Sequence, residues 1–221
     1  GFYCDAIAHP DGSATQLGVI SMQSLIPILA TVAVAVDTEG VGSEQDYGLA
    51  PALQQLRRRV LAHHPEYHGS VSLPPGSGDG SAMLFAVVRP ERLRRILAHL
   101  LDPAELLSDY GIRSLSAAYR EQPYEFRVGD QVYSLPYWPA GSRNRMFGGN
   151  SNWRGPIWFP INLLLLQSLL DYDSFFGDTF TVEFPTGSGH EVRLREVVVD
   201  VSNRLTSIFV RGADGRRVVL G

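Results

Sequence analysis

Residues 157–170 (IWFPINLLLLQSLL) are apolar on nearly every side of any helix they form, and few folds can accommodate such an element. A helix of this kind is either packed on all sides or spans a membrane. The run is shorter than the roughly 20 residues a bilayer span needs, and Pro160 and Asn162 interrupt it. It is therefore read as a buried helix that starts near Pro156, a residue suited to the first helical position.

Other segments carry a single apolar stripe. Leu49, Leu53, Leu56, Val60 and Leu61 fall on one face at helical spacing, with Arg57, Arg58 and Arg59 between them. Leu93, Ile96, Leu97, Leu100 and Leu101 repeat the pattern after Pro90, as do Leu194, Val197, Val198, Val201, Leu205, Ile208 and Phe209. Residues 22–36 are apolar on nearly every side and are expected to form a helix kinked at Pro27. Amphipathic helices mixed with all-apolar ones imply an outer layer facing water and an inner layer packed on both sides.

Short strands are expected between the helices. Phe126 and Val128 alternate with polar neighbours up to the turn at Gly129-Asp130, and residues 180–184 alternate before the loop PTGSG. Two more short runs flank Ala213-Asp214-Gly215. The LPPGSGDG stretch at 73–80 has the composition of a surface loop.

The chain has 221 residues, 44% of them hydrophobic and 19% charged, which is the balance of a globular domain. Its formal charge of -4 argues against generic binding of nucleic acid through phosphates. All 19 basic residues are arginine, which reads as codon usage and not as a device. Cys4 is the only cysteine, so neither an intramolecular disulfide nor a CxxC metal site can form. A reduced compartment fits, no signal peptide is visible, and the expected location is cytoplasmic.

The densest chemistry lies in FGGNSNWRGPIW at 147–158. Asn152, Trp153, Arg154 and Gly155 would lie at a helix N-terminus, where backbone N–H groups are free. Aromatic faces there can stack on the C–H side of a pyranose while Arg and Asn bond its hydroxyls. The same residues could equally form a tight loop packed by Trp, with Arg154 in an ion pair. A second polar loop, SDYGIRSLS at 108–116, follows a helix and is broken by Gly111. His63, His64 and His68 have no carboxylate at metal-ligand spacing, so no metal is expected. Gly187-Ser188-Gly189-His190 lacks the context of a nucleophile elbow, and Asp171, Asp173 and Asp178 read as a solvated helix end.

FGGNSNWRGPIWFP at 147–160, with YGIRSLS at 110–116 upstream, resembles glycoside hydrolase family 63 in its bacterial members, related to mannosyl-oligosaccharide glucosidase. GFYCD, SMQSLIPIL, EFPTGSG, NRLTSIF and DGRRVVLG fit the same family in order along the chain. The resemblance implies a mainly α fold, part of an (α/α)6 toroid of the six-hairpin glycosidase type with short β-hairpin insertions. Residues 1–221 would then be a single partial domain, the C-terminal portion of that barrel and incomplete at both ends. The implied activity is inverting hydrolysis of α-glucosidic linkages in oligosaccharides, with no cofactor, no membrane partner, and the remainder of the barrel as a neighbour. A partial toroid would expose the flanks of residues 157–170, so the chain alone is expected to be poorly soluble or to self-associate.

The resemblance places the general acid upstream of GFYCD and the base in an acidic-aromatic motif beyond the final hairpin. Neither motif occurs here, so no catalytic carboxylate is assigned. The pocket wall carries over: Trp153 and Arg154 as a sugar-contacting pair, Gly155 allowing close approach, and Trp158 packing behind. Tyr110, Gly111 and Arg113 would come from a neighbouring loop at the same rim. Ile20 and Cys4 stand where the family pattern has a basic and an aromatic residue, which touches local packing there. The alternatives are a hydrolase of glycosyl-glycerates and a non-catalytic carbohydrate-binding or scaffold helical domain, and in a protein-interaction module Trp153 and Trp158 would be core.

Overall fold

The computed structural model describes residues 2–35, 49–65, 82–139 and 156–218. Its longest element is the apolar helix anticipated above, α3, spanning Phe159–Phe176. Leu165, Leu166, Leu169, Tyr172, Phe175 and Phe176 bury one side of it in the main core. Three neighbours cover that side. These are α4 (Leu194–Ser207), the 3-10 helix Met22–Leu29, and the antiparallel pair β3 (Thr31–Ala35) and β4 (Ala82–Ala86).

The amphipathic stripes predict the remaining helices well. Helix α2 spans Pro90–Leu100, begins at the Pro whose missing N–H costs nothing there, and carries Glu91 in its first turn and His99 in its last. Leu93, Ile96, Leu97 and Leu100 lie fully buried on its inner face. Helix α1 spans Leu49–His63. In α4 the buried set is Leu194, Val197, Val198, Val201 and Leu205, and the Glu196 carboxylate accepts the Arg193 N–H to close its first turn.

The expectation of a mainly α toroid is not met. Among the described residues the chain is a small mixed α/β assembly in which five two-stranded antiparallel sheets accompany four α-helices. The pairs are β1 (Asp5–Ala8) with β2 (Ala14–Leu17), β3 with β4, and β5 (Leu107–Ser108) with β6 (Gly111–Ile112). Further on, β7 (Tyr124–Val128) pairs with β8 (Gln131–Leu135), and β9 (Thr181–Glu183) with β10 (Glu191–Arg193). The buried face of α3 is answered by the two-stranded β3–β4 sheet, a 3-10 helix and one α-helix, so its apolar character does not require a closed ring of helices.

The clearest local departure is at 22–36, where a kinked helix was expected. Pro27 sits inside the 3-10 turn and supplies no N–H, and the chain leaves helical geometry at Ala30. The TVAVA that follows is rich in β-branched residues, which favour a pleated surface, and it pairs in register with AMLFA from Thr31↔Ala86 to Ala35↔Ala82. Residues 126–128 and 180–184 do contribute to hairpins, while the final turn is a single bridge between Arg211 and Arg217. The loop expected at 73–80 lies outside the described residues, as does His68.

A smaller core gathers Leu115, Tyr119, Leu135 and Tyr137 beneath the β7–β8 hairpin. The Tyr119 hydroxyl accepts the Ile20 N–H at 2.7 Å, tying this cluster to the strand-like segment before Met22.

Candidate functional site

The β5–β6 hairpin turns through Asp109 and Tyr110 and re-enters at Gly111 with φ +113°, a backbone angle that side chains oppose. Space is as tight as conformation: a Cβ at Gly111 would lie 2.7 Å from Leu205 Cδ2 and 3.1 Å from Asn162 Oδ1. The Ser108 hydroxyl donates to the Gly111 carbonyl at 2.7 Å and accepts the Tyr110 N–H at 3.1 Å, closing the turn from within.

Asn162, fully buried at 0% exposure, joins this hairpin to α3. Its Oδ1 accepts the Ile112 N–H at 2.8 Å, and its Nδ2 donates to the Ile112 carbonyl at 3.0 Å and the Trp158 carbonyl at 3.1 Å. The backbone continues the junction, with Arg113 bridged to Ile157 and the Ser114 N–H donating to the Pro156 carbonyl at 2.8 Å. Residues 111–114 therefore lie directly against 156–158, where α3 begins.

Trp158 is half-buried and packs against the main core at the first position before α3. Tyr110 is exposed at the tip of the hairpin. Arg113 turns back into its own segment, where one terminal nitrogen donates to the carbonyls of Pro103, Glu105 and Leu107. Trp153, Arg154 and Gly155 lie outside the described residues. Of the seven predicted wall residues, the structure thus places Gly111, Arg113 and Trp158 around one junction, with Tyr110 on its hairpin. Across the hairpin, Arg204 of α4 donates to the Ser108 carbonyl at 2.9 Å and pairs with Asp200.

Asp173, which its sequence context marks as part of a solvated helix end, is instead 2% exposed. Its carboxylate accepts from Arg193 Nη2 at 3.0 Å, from Arg195 Nε at 2.7 Å and from the Arg195 N–H at 3.2 Å. Burial penalises its charge, but the hydrogen bonds from Arg195 and Arg193 outweigh that and hold the carboxyl below its ordinary pKa. Arg193 also reaches the exposed Asp178 at 2.8 Å. Asp171, two residues earlier on α3, is raised instead, by burial that its bonds to Gln167 and the Ala33 backbone only partly offset.

The EFPTGSGH loop carries a cis Phe184–Pro185 bond and caps α2. The Thr186 N–H donates to the Leu101 carbonyl at 3.0 Å and its hydroxyl to the Ala98 carbonyl at 2.8 Å. Glu183 accepts the Gly189 N–H at 2.6 Å, and backbone donors of Gly187 and Gly189 hold its carboxyl below its ordinary range. A cleft lined by Tyr3, Val87, Arg89, Glu91, Arg92 and Arg95 opens beside the start of α2, where the Arg92 guanidinium sits 4.9 Å over the Tyr3 ring.

Among the described residues no group of three or more His, Cys, Asp or Glu side chains is placed to hold a metal ion. His63 instead pairs its Nδ1 with the Arg59 carbonyl at 2.8 Å. No helix of the described residues is long and apolar enough to cross a membrane.

The segment that builds this junction, residues 81–184, matches the sequence model of the glycosyl hydrolase family 63 C-terminal domain. That segment, a little under half of the chain, carries the similarity to glycoside hydrolase family 63, C-terminal part. It is the family that the WRGPIW and YGIRSLS motifs point to. The chain is also 36% identical over 222 residues to the uncharacterized protein YMR196W of Saccharomyces cerevisiae. That alignment covers 99% of this chain and 19% of the yeast protein, so the chain spans about a fifth of that relative's length. The family-63 segment contains α2, α3, β5, β6 and the junction between 111–114 and 156–158, whereas α4 lies beyond its end.

Asn162 is the residue that motif reading missed, since it registered only as an interruption of an apolar run. The available signal was that interruption itself. A lone amide on a helix that buries its neighbours needs partners, and backbone groups of an adjacent loop are the commonest ones.

Proposed function

We propose that this chain is part of an inverting glycoside hydrolase acting on α-glucosidic linkages of oligosaccharides, and that it supplies wall residues of the sugar pocket. The observation that carries this reading is the match of residues 81–184 to the family 63 C-terminal domain. It is supported by the junction that sets Gly111 and Arg113 beside the entry to α3, immediately after the Trp153-Arg154-Gly155 sequence.

In this reading residues 1–221 form one partial domain continued by the rest of a longer protein. Trp153 stacks on the apolar face of a glucosyl ring and Arg154 bonds its hydroxyls, with Gly155 giving room and Trp158 fixing the floor. Tyr110 offers a second ring from the hairpin tip. Arg113 acts by holding the 103–107 turn, and Gly111 by letting the hairpin approach α3 closely. The two catalytic carboxyl groups come from sequence outside this chain. One protonates the leaving oxygen and the other activates water on the opposite face, at a separation of roughly 6.5–9.5 Å.

The full product of the gene should be mixed with α-linked glucose disaccharides while the released sugar is followed by proton NMR. Release of the β-anomer first is the expected result. Sugar-dependent quenching of tryptophan fluorescence should be lost in Trp153→Ala. Absence of turnover on every α-glucoside, together with quenching that survives Trp153→Ala, would overturn the reading.

A further inference from the structure

The cleft beside the start of α2 has a volume of about 390 Å3 and draws its lining from three places: Tyr3, Val87 after β4, and four charged residues of the helix and its cap. Steps of three residues set Arg89, Arg92 and Arg95 along one flank, away from the buried Leu93, Ile96 and Leu97. Their neighbour Arg94 is already engaged, its guanidinium 4.1 Å over the Phe180 ring and one nitrogen donating to the Thr181 carbonyl. On α4, Arg195 and Arg204 are matched by Asp173 and Asp200. The three cleft arginines form no ion pair among the described residues. Glu91 brings one carboxylate to the same lining, which leaves two positive charges unmatched. Arg92 sits 4.9 Å over the Tyr3 ring, an arrangement that orders the cation without neutralising it. Solvated arginines on a helix face mean little singly, whereas these three border one concave space with an aromatic wall.

We propose that this cleft is a binding site for a sugar phosphate. A phosphate monoester carries a charge of about -1.5 to -2 at neutral pH, which answers the two unmatched cations, whereas a lone carboxylate would answer one. Guanidinium forks suit its oxygens, since each can donate two parallel hydrogen bonds. Glu91 decides what the phosphate is attached to. It repels a bare phosphate but accepts hydrogen bonds from the hydroxyls of a sugar held beside one. The Tyr3 ring and the exposed Val87 offer apolar surface to the C–H face of that sugar. The cleft volume lies in the range of small-ligand sites and exceeds what a phosphate alone fills. The cleft shares no lining residue with the junction at 111–114 and 156–158, and the proposal goes beyond the glycosidase reading without resting on it.

The full product of the gene, at about 0.15 M ionic strength, should be titrated calorimetrically with glucose 6-phosphate, inorganic phosphate and glucose. Glucose 6-phosphate should bind at least tenfold more tightly than either of the other two. The Arg89→Gln/Arg95→Gln double substitution alters side chains with no hydrogen bond or ion pair among the described residues. It should weaken the binding of glucose 6-phosphate at least tenfold and leave Tm within about 1 °C of the unaltered protein. Glu91→Ala should narrow the preference, tightening inorganic phosphate and loosening glucose 6-phosphate. Trp153→Ala should leave the titration unchanged, which separates this cleft from the sugar pocket of the proposed glycosidase. Absence of glucose 6-phosphate binding up to about 10 mM would overturn the proposal. So would an affinity that survives the double substitution, or inorganic phosphate bound as tightly as the sugar phosphate, since the cleft would then read charge alone.

Discussion

Asn162 reads Ile112 in both directions: its Oδ1 accepts the Ile112 N–H at 2.8 Å and its Nδ2 donates to the Ile112 carbonyl at 3.0 Å. One side chain thus takes the place of a neighbouring strand for a hairpin that is only two residues deep on each side. It also fixes the height of that hairpin along α3.

Replacement of Asn162 by Leu, similar in size, leaves an N–H and a carbonyl of Ile112 buried without that partner. Each unsatisfied group costs about 1–3 kcal/mol, so the substitution should lower Tm by roughly 5–10 °C. Thermal unfolding followed by circular dichroism checks this, and a change under 1 °C would show that the hairpin is held in some other way.

Gly111→Ala should be destabilising by roughly 2 kcal/mol or more, because φ +113° is strained for any side chain and the new methyl meets Leu205. In a double-mutant cycle with Leu205→Ala, the steric part should be relieved and the backbone part should remain. Full recovery in the double variant would place the whole cost in the side-chain clash.

Arg113 separates a structural from a sugar-contacting role. Arg113→Met removes the donors to the carbonyls of Pro103, Glu105 and Leu107, so amide exchange across 103–107 should accelerate at least tenfold. A normal exchange profile with weakened sugar quenching would assign Arg113 to the ligand.

The two carboxyls of α3 predict opposite pH dependence. Asp173 is held below its unfolded pKa, so its contribution is present above the ordinary carboxylate range and is lost as pH falls through the lower folded value. Asp173→Asn should flatten the acid limb of the stability profile below about pH 4 and lower Tm at pH 7 by about 5 °C. Asp171 is raised by burial, so the folded state favours its protonated form and loses stability as pH rises through the folded value. Asp171→Asn should therefore raise Tm at pH 7. Urea titrations at a series of pH values distinguish the two, and parallel behaviour of both variants would contradict the assignment.

Periodicity located α2, α3 and α4 because one-sided or complete apolar stripes are written directly in residues 93–100, 157–170 and 194–205. It did not separate helix from strand at 22–36, where an unbroken apolar run fits either and the deciding fact is the long-range pairing with residues 82–86. Nor could it place Asp173, whose charge suggests solvent until Arg193 and Arg195, about twenty positions later, arrive beside it. The segments around Trp158 and Tyr110 stand out in the sequence as clusters of aromatic and polar groups. Of their supports, Asn162 shows in the sequence only as a lone amide in an apolar run, and the turn-binding side of Arg113 leaves no signature in the motif.

The contact of Gly111 with Leu205 bears on where this protein can be cut. Sequence similarity to the family domain ends at residue 184, yet the close fit at Gly111 is made against a helix that begins at 194. A product trimmed to the similarity boundary would lose Leu205 from one flank of the hairpin and Arg204 from its Ser108 carbonyl. The span matched by the family domain is therefore shorter than the span that must be synthesised together for the hairpin to sit correctly.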